Sequence, residues 1–140
     1  MIQCLLLATD GSKCASRAAD FAASLALRYP AKIVVLNVLT LGYSHLSGID
    51  QQDVFSKAQG AAQILVNDVA QHLREIRIKE VDPIVLYGPP VSVILGFAEM
   101  HKPDLIVMGA RGDGTWQGKM LGSVSMAVTQ RAECPVLVVK

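Results

Sequence analysis

No stretch of this chain approaches the 18 or so consecutive apolar residues of a membrane-crossing helix. Its longest apolar runs, such as Cys4 to Ala8 and Ile33 to Leu36, have the length of β-strands. No basic leader or cleavage site follows Met1, so the expected location is cytoplasmic. Cysteine is scarce: Cys4, Cys14 and Cys134 are odd in number and show no C-x-x-C spacing. That leaves neither a disulfide framework nor a zinc site, and the three are expected to be buried or partly buried free thiols. An excess of one charge is also missing. The formal net charge is +1, which argues against a nucleic-acid partner bound through a basic surface, and a hydrophobic content of 51% argues against disorder.

Catalytic constellations are missing as well. His45, His72 and His101 are scattered without metal-ligand spacing, and no metal site is expected. Neither a Ser-His-Asp nor a Cys-His arrangement is supported, so no catalytic residue is assigned. A phosphorelay receiver requires an acceptor Asp at the end of its third strand, where this chain has Leu86-Tyr87-Gly88. A Walker loop requires four residues between its first Gly and Gly-Lys-Ser/Thr; here Gly112 and Gly118-Lys119 are separated by five, and Met120 takes the hydroxyl position. The dinucleotide fingerprint G-x-G-x-x-G belongs at the first strand-to-helix turn. Gly112-Asp113-Gly114-Thr115-Trp116-Gln117-Gly118 has one residue too many and lies near the other end of the chain.

What is present is an alternation of strands and helices. Ile2 to Ala8 is almost wholly apolar, as befits a central parallel strand covered on both faces. Thr9-Asp10-Gly11-Ser12 turns the chain, offering hydroxyl or carboxylate caps to a helix whose apolar positions run Ala15, Ala18, Ala19, Ala22, Leu25, Ala26, Tyr29 and stop at Pro30. A second strand over Lys32 to Val38 is followed by an irregular stretch from Leu39 to Asp50. A long helix from about Gln51 to Glu75 then carries Val54, Ala58, Ala61, Leu65, Val69 and Leu73 on one face. The third strand, Arg77 to Tyr87, contains Pro83 and therefore belongs near an edge or starts late. A short helix over Val91 to Met100, a strand over Asp104 to Met108, a helix over Gly122 to Arg131 and a last strand over Val136 to Val139 complete the pattern.

Five strands alternating with four helices over 140 residues imply one α/β domain spanning residues 1–140. It is expected to be a doubly wound parallel sheet of strand order 3-2-1-4-5 with helices on both faces. Such sheets bind ligands beyond the carboxyl ends of their strands, where the winding reverses. That crevice lies between strands one and four, so the turn holding Asp10 and the turn holding Gly109 converge on it. The second turn is rich in glycine: Gly109-Ala110-Arg111-Gly112, nine residues, then Gly122-Ser123. Glycines at a strand exit allow positive φ and close backbone approach, and a Gly-Ser pair opening a helix offers N–H groups to an anion. Asp10 alone reads as a turn or cap residue; opposite this loop it reads as a ligand residue.

These segments together resemble the universal stress protein family, of its nucleotide-binding kind. Gly109, Gly112, Gly122 and Ser123 fit the family pattern G-x2-G-x9-G-S/T, Thr9-Asp10-Gly11-Ser12 fits its first turn, and Cys134-Pro135-Val136-Leu137-Val138-Val139 fits its usual ending. The resemblance implies that Asp10 and the backbone near Val38 hold the adenine and ribose of ATP, with Ala8 and Thr9 beside them. Met108 and Gly109 would border the ribose, and the N–H groups around Gly112, Gly122, Ser123 and Val124 would hold the phosphates, with Arg111 and Lys119 as nearby cations. Ala8 stands where the family often has proline. Magnesium would bind through the phosphates and water rather than a protein cage, and AMP or another adenine nucleotide is an alternative to ATP.

The expected function is ATP-binding regulation in a stress response, in which nucleotide occupancy sets the conformation of the Ala110 to Leu121 loop and hence the choice of a regulatory protein partner. A rival reading is a non-nucleotide module that dimerises; the resemblance likewise implies a homodimer through the Val136 to Val139 edge. A slow ATPase ranks below both, because no base or water-positioning residue is evident beyond Asp10.

Overall fold

The computed structural model describes residues 1–40, 48–112 and 121–140, with backbone only at 48–50. Its elements are β1 (Cys4–Ala8), α1 (Lys13–Arg28), β2 (Lys32–Leu39), α2 (Gly48–Glu75), β3 (Val81–Tyr87), α3 (Pro90–His101), β4 (Leu105–Gly109), α4 (Ser123–Arg131) and β5 (Val136–Val139). The strands form one parallel sheet in the order β3-β2-β1-β4-β5, as the alternation of elements implies.

The central strand explains the layering. Leu5, Leu6 and Leu7 are fully buried, and because successive side chains point to opposite faces, Leu5 and Leu7 join the core under α1 and α2 while Leu6 joins the core under α3 and α4. Fully burying one such side chain contributes about 1.5–3 kcal/mol. Helix α1 lies close to the sheet because its buried face is built from small residues: Cys14, Ala15, Ala18, Ala19, Ala22, Ala23 and Ala26. Tyr29, read as part of that face, is 42% exposed.

One boundary and one buried face differ from expectation, each for a local reason. The third strand begins at Val81, not Arg77, because the residues between close α2: Arg77 takes φ 77°, its N–H donates to the Arg74 carbonyl, and the Ile78 N–H donates to the Leu73 carbonyl. That is a Schellman closure, with Ile78 and Leu73 both buried beneath it. Pro83 does lie in an edge strand. On α2 the buried line is Ala62, Val66, Ala70 and Leu73, one position round from the expected stripe. Leu65 and Val69 are half-buried on its flank, while Ala61 and Val54 are exposed. Two neighbouring apolar stripes compete on this helix, and the one richer in alanine packs against the sheet.

Candidate functional site

At the carboxyl ends of β1, β2 and β4 lies a cavity of about 340 Å³, closed on one side by the starts of α3 and α4. Ala8, Thr9, Asp10, Val38, Met108, Gly109, Arg111, Gly112, Gly122, Ser123 and Val124 all line it, so the structure brings together the sequence-derived set apart from Lys119. Leu36, Asn37, Pro90, Ile94, Ala110 and Ser125 line it too, and sequence reasoning missed them. Asn37 left a signal, as a polar residue inside an otherwise apolar strand. Ser125 left a weaker one, as a second hydroxyl in the first turn of a helix. Nothing in the sequence aims Pro90 and Ile94 at this crevice.

The turn after β1 is held at several points. Thr9 is buried and donates its N–H to the Leu36 carbonyl at 2.9 Å, while Asn37 Nδ2 donates to the Thr9 carbonyl at 2.8 Å. Asp10 is exposed, and its Oδ1 accepts the Ser12 N–H at 2.9 Å. Its Oδ2 lies over Gly112, where an added Cβ would meet it at 2.6 Å. One carboxylate therefore serves both readings of Asp10, with one oxygen making the turn and the other at the cavity. The cap of α1 is Ser12, whose Oγ accepts the Ala15 N–H at 3.2 Å and donates to the Arg111 carbonyl at 3.3 Å. That single hydroxyl ties the first turn to the glycine loop.

The glycines act differently from the expectation drawn for them. Positive φ occurs at Gly11 (80°) and Gly88 (133°), and not at Gly109, Gly112 or Gly122. A Cβ on Gly109 would stand 2.8 Å from the Ala15 nitrogen and from the Cys14 carbonyl carbon, so this glycine lets α1 approach β4. The Gly122 N–H is already bonded to the Ala110 carbonyl at 2.7 Å, which removes it from the set of anion donors. Gly122 is itself the N-cap of α4, without a side-chain cap, and Ser123 is the first helical residue rather than the cap. The N–H groups of Ser123 and Val124 have no intrahelical acceptor and stand at the cavity wall.

Lys119, Trp116 and the rest of the 113–120 segment lie outside the described residues, as does His45. His72 and His101 are exposed, and among the described residues no cluster of metal-binding side chains occurs. The cysteines are unpaired; burial raises the Cys4 and Cys134 thiols above their ordinary pKa, and neither lines the cavity.

The cavity can hold a flat apolar group between Ala8, Leu36, Val38, Ile94 and Met108, a hydroxyl or amine donor at Asp10, and an anion at the start of α4. The model of the universal stress protein family matches residues 1–140. A universal stress protein from Thermus aquaticus is 33% identical over 140 residues, covering 100% of both chains. Universal stress protein UspA from Lactobacillus plantarum superposes with a TM-score of 0.89 at 25% identity, over 99% of this chain and 97% of that one. A universal stress protein solved in complex with cAMP superposes with a TM-score of 0.76 at 26% identity, over 99% of this chain and 97% of that one.

Proposed function

The chain belongs to the universal stress protein family, and we propose that it binds an adenine nucleotide in the cavity between β1 and β4, with occupancy controlling its choice of protein partner. One observation carries the reading: the Asp10 carboxylate and the uncapped start of α4 face a single cavity across the point where the sheet's winding reverses. Asp10 and the β2 backbone at Val38 receive the ribose and base, Met108 and Gly109 border the ribose, and the Ser123 and Val124 N–H groups take the phosphate. Arg111 and phosphate-bound magnesium balance charge. The neighbour in complex with cAMP supports an adenine ligand.

Magnitudes favour the base as the main source of affinity. A helix end contributes about 0.3–1 kcal/mol to an exposed anion, whereas micromolar binding requires about 8 kcal/mol. The apolar walls must therefore supply most of it. Isothermal titration with AMP and with ATP, each with and without magnesium, tests the proposal. Saturable binding is expected, and no heat at millimolar nucleotide sinks it.

Nucleotide-dependent partner choice requires that the ligand favour one conformation over another. Its test is a change in the proteins captured from a cytosolic extract when AMP is added, and an identical set would refute it. Cytosolic action is part of the proposal; no described helix is long and apolar enough to cross a membrane. Any ATP turnover should be slow, because the proposed contacts include no group that positions water.

A second reading, homodimerisation, has its own support. Strand β5 is a sheet edge, with Val136, Leu137 and Val138 only half-buried. Beside it, Arg17 of α1 donates to the Lys140 carbonyl, and Phe21, one turn on, is 54% exposed. An apolar edge strand of this kind invites pairing with a second copy. Sedimentation at tens of micromolar should show a dimer, and a monomer there would count against it.

A further inference from the structure

Helix α4 begins on a glycine that offers no side-chain cap, yet its first turn is firmly held. A Ser, Thr, Asp or Asn at the N-cap would bond the N–H of the second or third helical residue, here Val124 or Ser125, and so consume a donor at the cavity. The holding group sits further along instead. Ser125 is 3% exposed, and its Oγ donates to the Ala110 carbonyl at 2.7 Å, with the Gly122 carbonyl at 3.0 Å. The same Ala110 carbonyl accepts the Gly122 N–H at 2.7 Å, and Ala110 donates its own N–H to Val139 at 2.7 Å. The point where the chain leaves β4 and the point where it enters α4 are thereby bolted together and to β5.

We propose that Ser125 is the positioning residue for phosphate recognition: it replaces the missing cap, fixing the start of α4 while leaving the Ser123 and Val124 N–H groups for a ligand anion. The proposal rests on the nucleotide reading of the cavity. A hydroxyl has one proton, and that of Ser125 is committed to backbone carbonyls, so it acts through the helix start and not as a phosphate donor. Preorganised donors bind more tightly because the cost of ordering them is met in advance. Removing the hydroxyl leaves no carbonyl orphaned, since Ala110 keeps the Gly122 N–H and Gly122 keeps the Met126 N–H. Ser125→Ala is therefore expected to fold.

The test titrates AMP and adenosine against the wild type, Ser125→Ala and Ser125→Thr, and follows amide exchange at Gly122 without ligand. Ser125→Ala should weaken AMP about fivefold or more, roughly the worth of one hydrogen bond. It should leave adenosine within about twofold and speed exchange of the Gly122 amide; Ser125→Thr, which keeps the hydroxyl, should restore both. Equal weakening of AMP and adenosine, unchanged AMP affinity, or unchanged Gly122 exchange overturns the positioning role. Failure of the wild type itself to bind AMP is the separate result that removes the nucleotide reading, and the proposal with it.

Discussion

The glycines of the β4–α4 connection and those inside the helices α2 and α3 occupy opposite environments. Added Cβ atoms at Gly109, Gly112 and Gly122 would meet protein atoms at 2.8, 2.6 and 3.2 Å, whereas at Gly60 and Gly96 nothing lies within 4 Å. The first group is crowded by close approach; the second carries only the entropic penalty of a flexible residue in a helix. The contrast also divides the first group. Gly109 is crowded by the backbone of α1, Gly112 by the free end of an exposed side chain, and Gly122 by the carbonyl that clasps the loop. A motif that reads as a phosphate cradle is thus in good part a packing motif.

The sharpest break in the comparison is Gly109→Ala. Its new methyl would meet backbone atoms of Cys14 and Ala15 that can retreat only if α1 shifts. Overpacking of this kind costs about 1–3 kcal/mol, and the upper end is expected because no side-chain rotation relieves it. Urea denaturation measures it; a loss below about 0.5 kcal/mol, the scatter of neutral surface changes, would show that the crowding is only apparent.

Gly112→Ala should separate site from scaffold. The obstructing atom is Asp10 Oδ2, on an exposed side chain that can swing aside. Stability should fall by no more than about 1 kcal/mol, the worth of the Ser12 N–H bond that the moving carboxylate gives up. AMP affinity should fall about tenfold, equivalent to about 1.4 kcal/mol, because the displaced carboxylate leaves the cavity. A variant that loses stability but keeps its affinity would assign Gly112 to the scaffold alongside Gly109.

On the open side, Gly60→Ala and Gly96→Ala should each stabilise the protein by about 0.5–1 kcal/mol, read as a higher urea midpoint at unchanged slope. Both positions are exposed, and neither Cβ meets a neighbour. A destabilised Gly60→Ala would mean that α2 needs flexibility there and would erase the distinction between the two groups.

The same distinction explains what could be read from the sequence. Strand order was legible because Leu5 to Leu7, Ile33 to Leu36 and Ile106 to Met108 are continuous apolar runs, which only a sheet covered on both faces accommodates. The crevice was legible because topology alone places the two turns side by side. The purpose of each glycine was not, since Gly109 faces Cys14 and Ala15, far away in sequence, and local pattern carries no trace of that contact. Nor was the buried face of α2, where adjacent stripes are equally apolar. Gly122 shows the limit most clearly: a Cβ placed there would stand 3.2 Å from the Ala110 carbonyl oxygen, a contact that the glycine spacing does not disclose.

The smallest effect is expected at the opposite end of β4, where charge rather than crowding does the tethering. Asp104 Oδ2 accepts the N–H groups of Gln3 at 2.8 Å and Cys4 at 2.9 Å, joining the start of β4 to the start of β1. Those two bonds hold its carboxyl below the ordinary value of 3.8, although the group is fully exposed. A carboxylate with a depressed folded-state pKa adds stability above its unfolded value and loses it as pH falls through the folded one. Asp104→Asn should therefore melt slightly below the wild type at neutral pH, and the gap should close at a pH low enough to leave both side chains uncharged. A gap of equal size at both pH values would show that the contact works by shape alone. In that case both ends of β4 would be held by packing, and the tether at Asp104 would belong with Gly109.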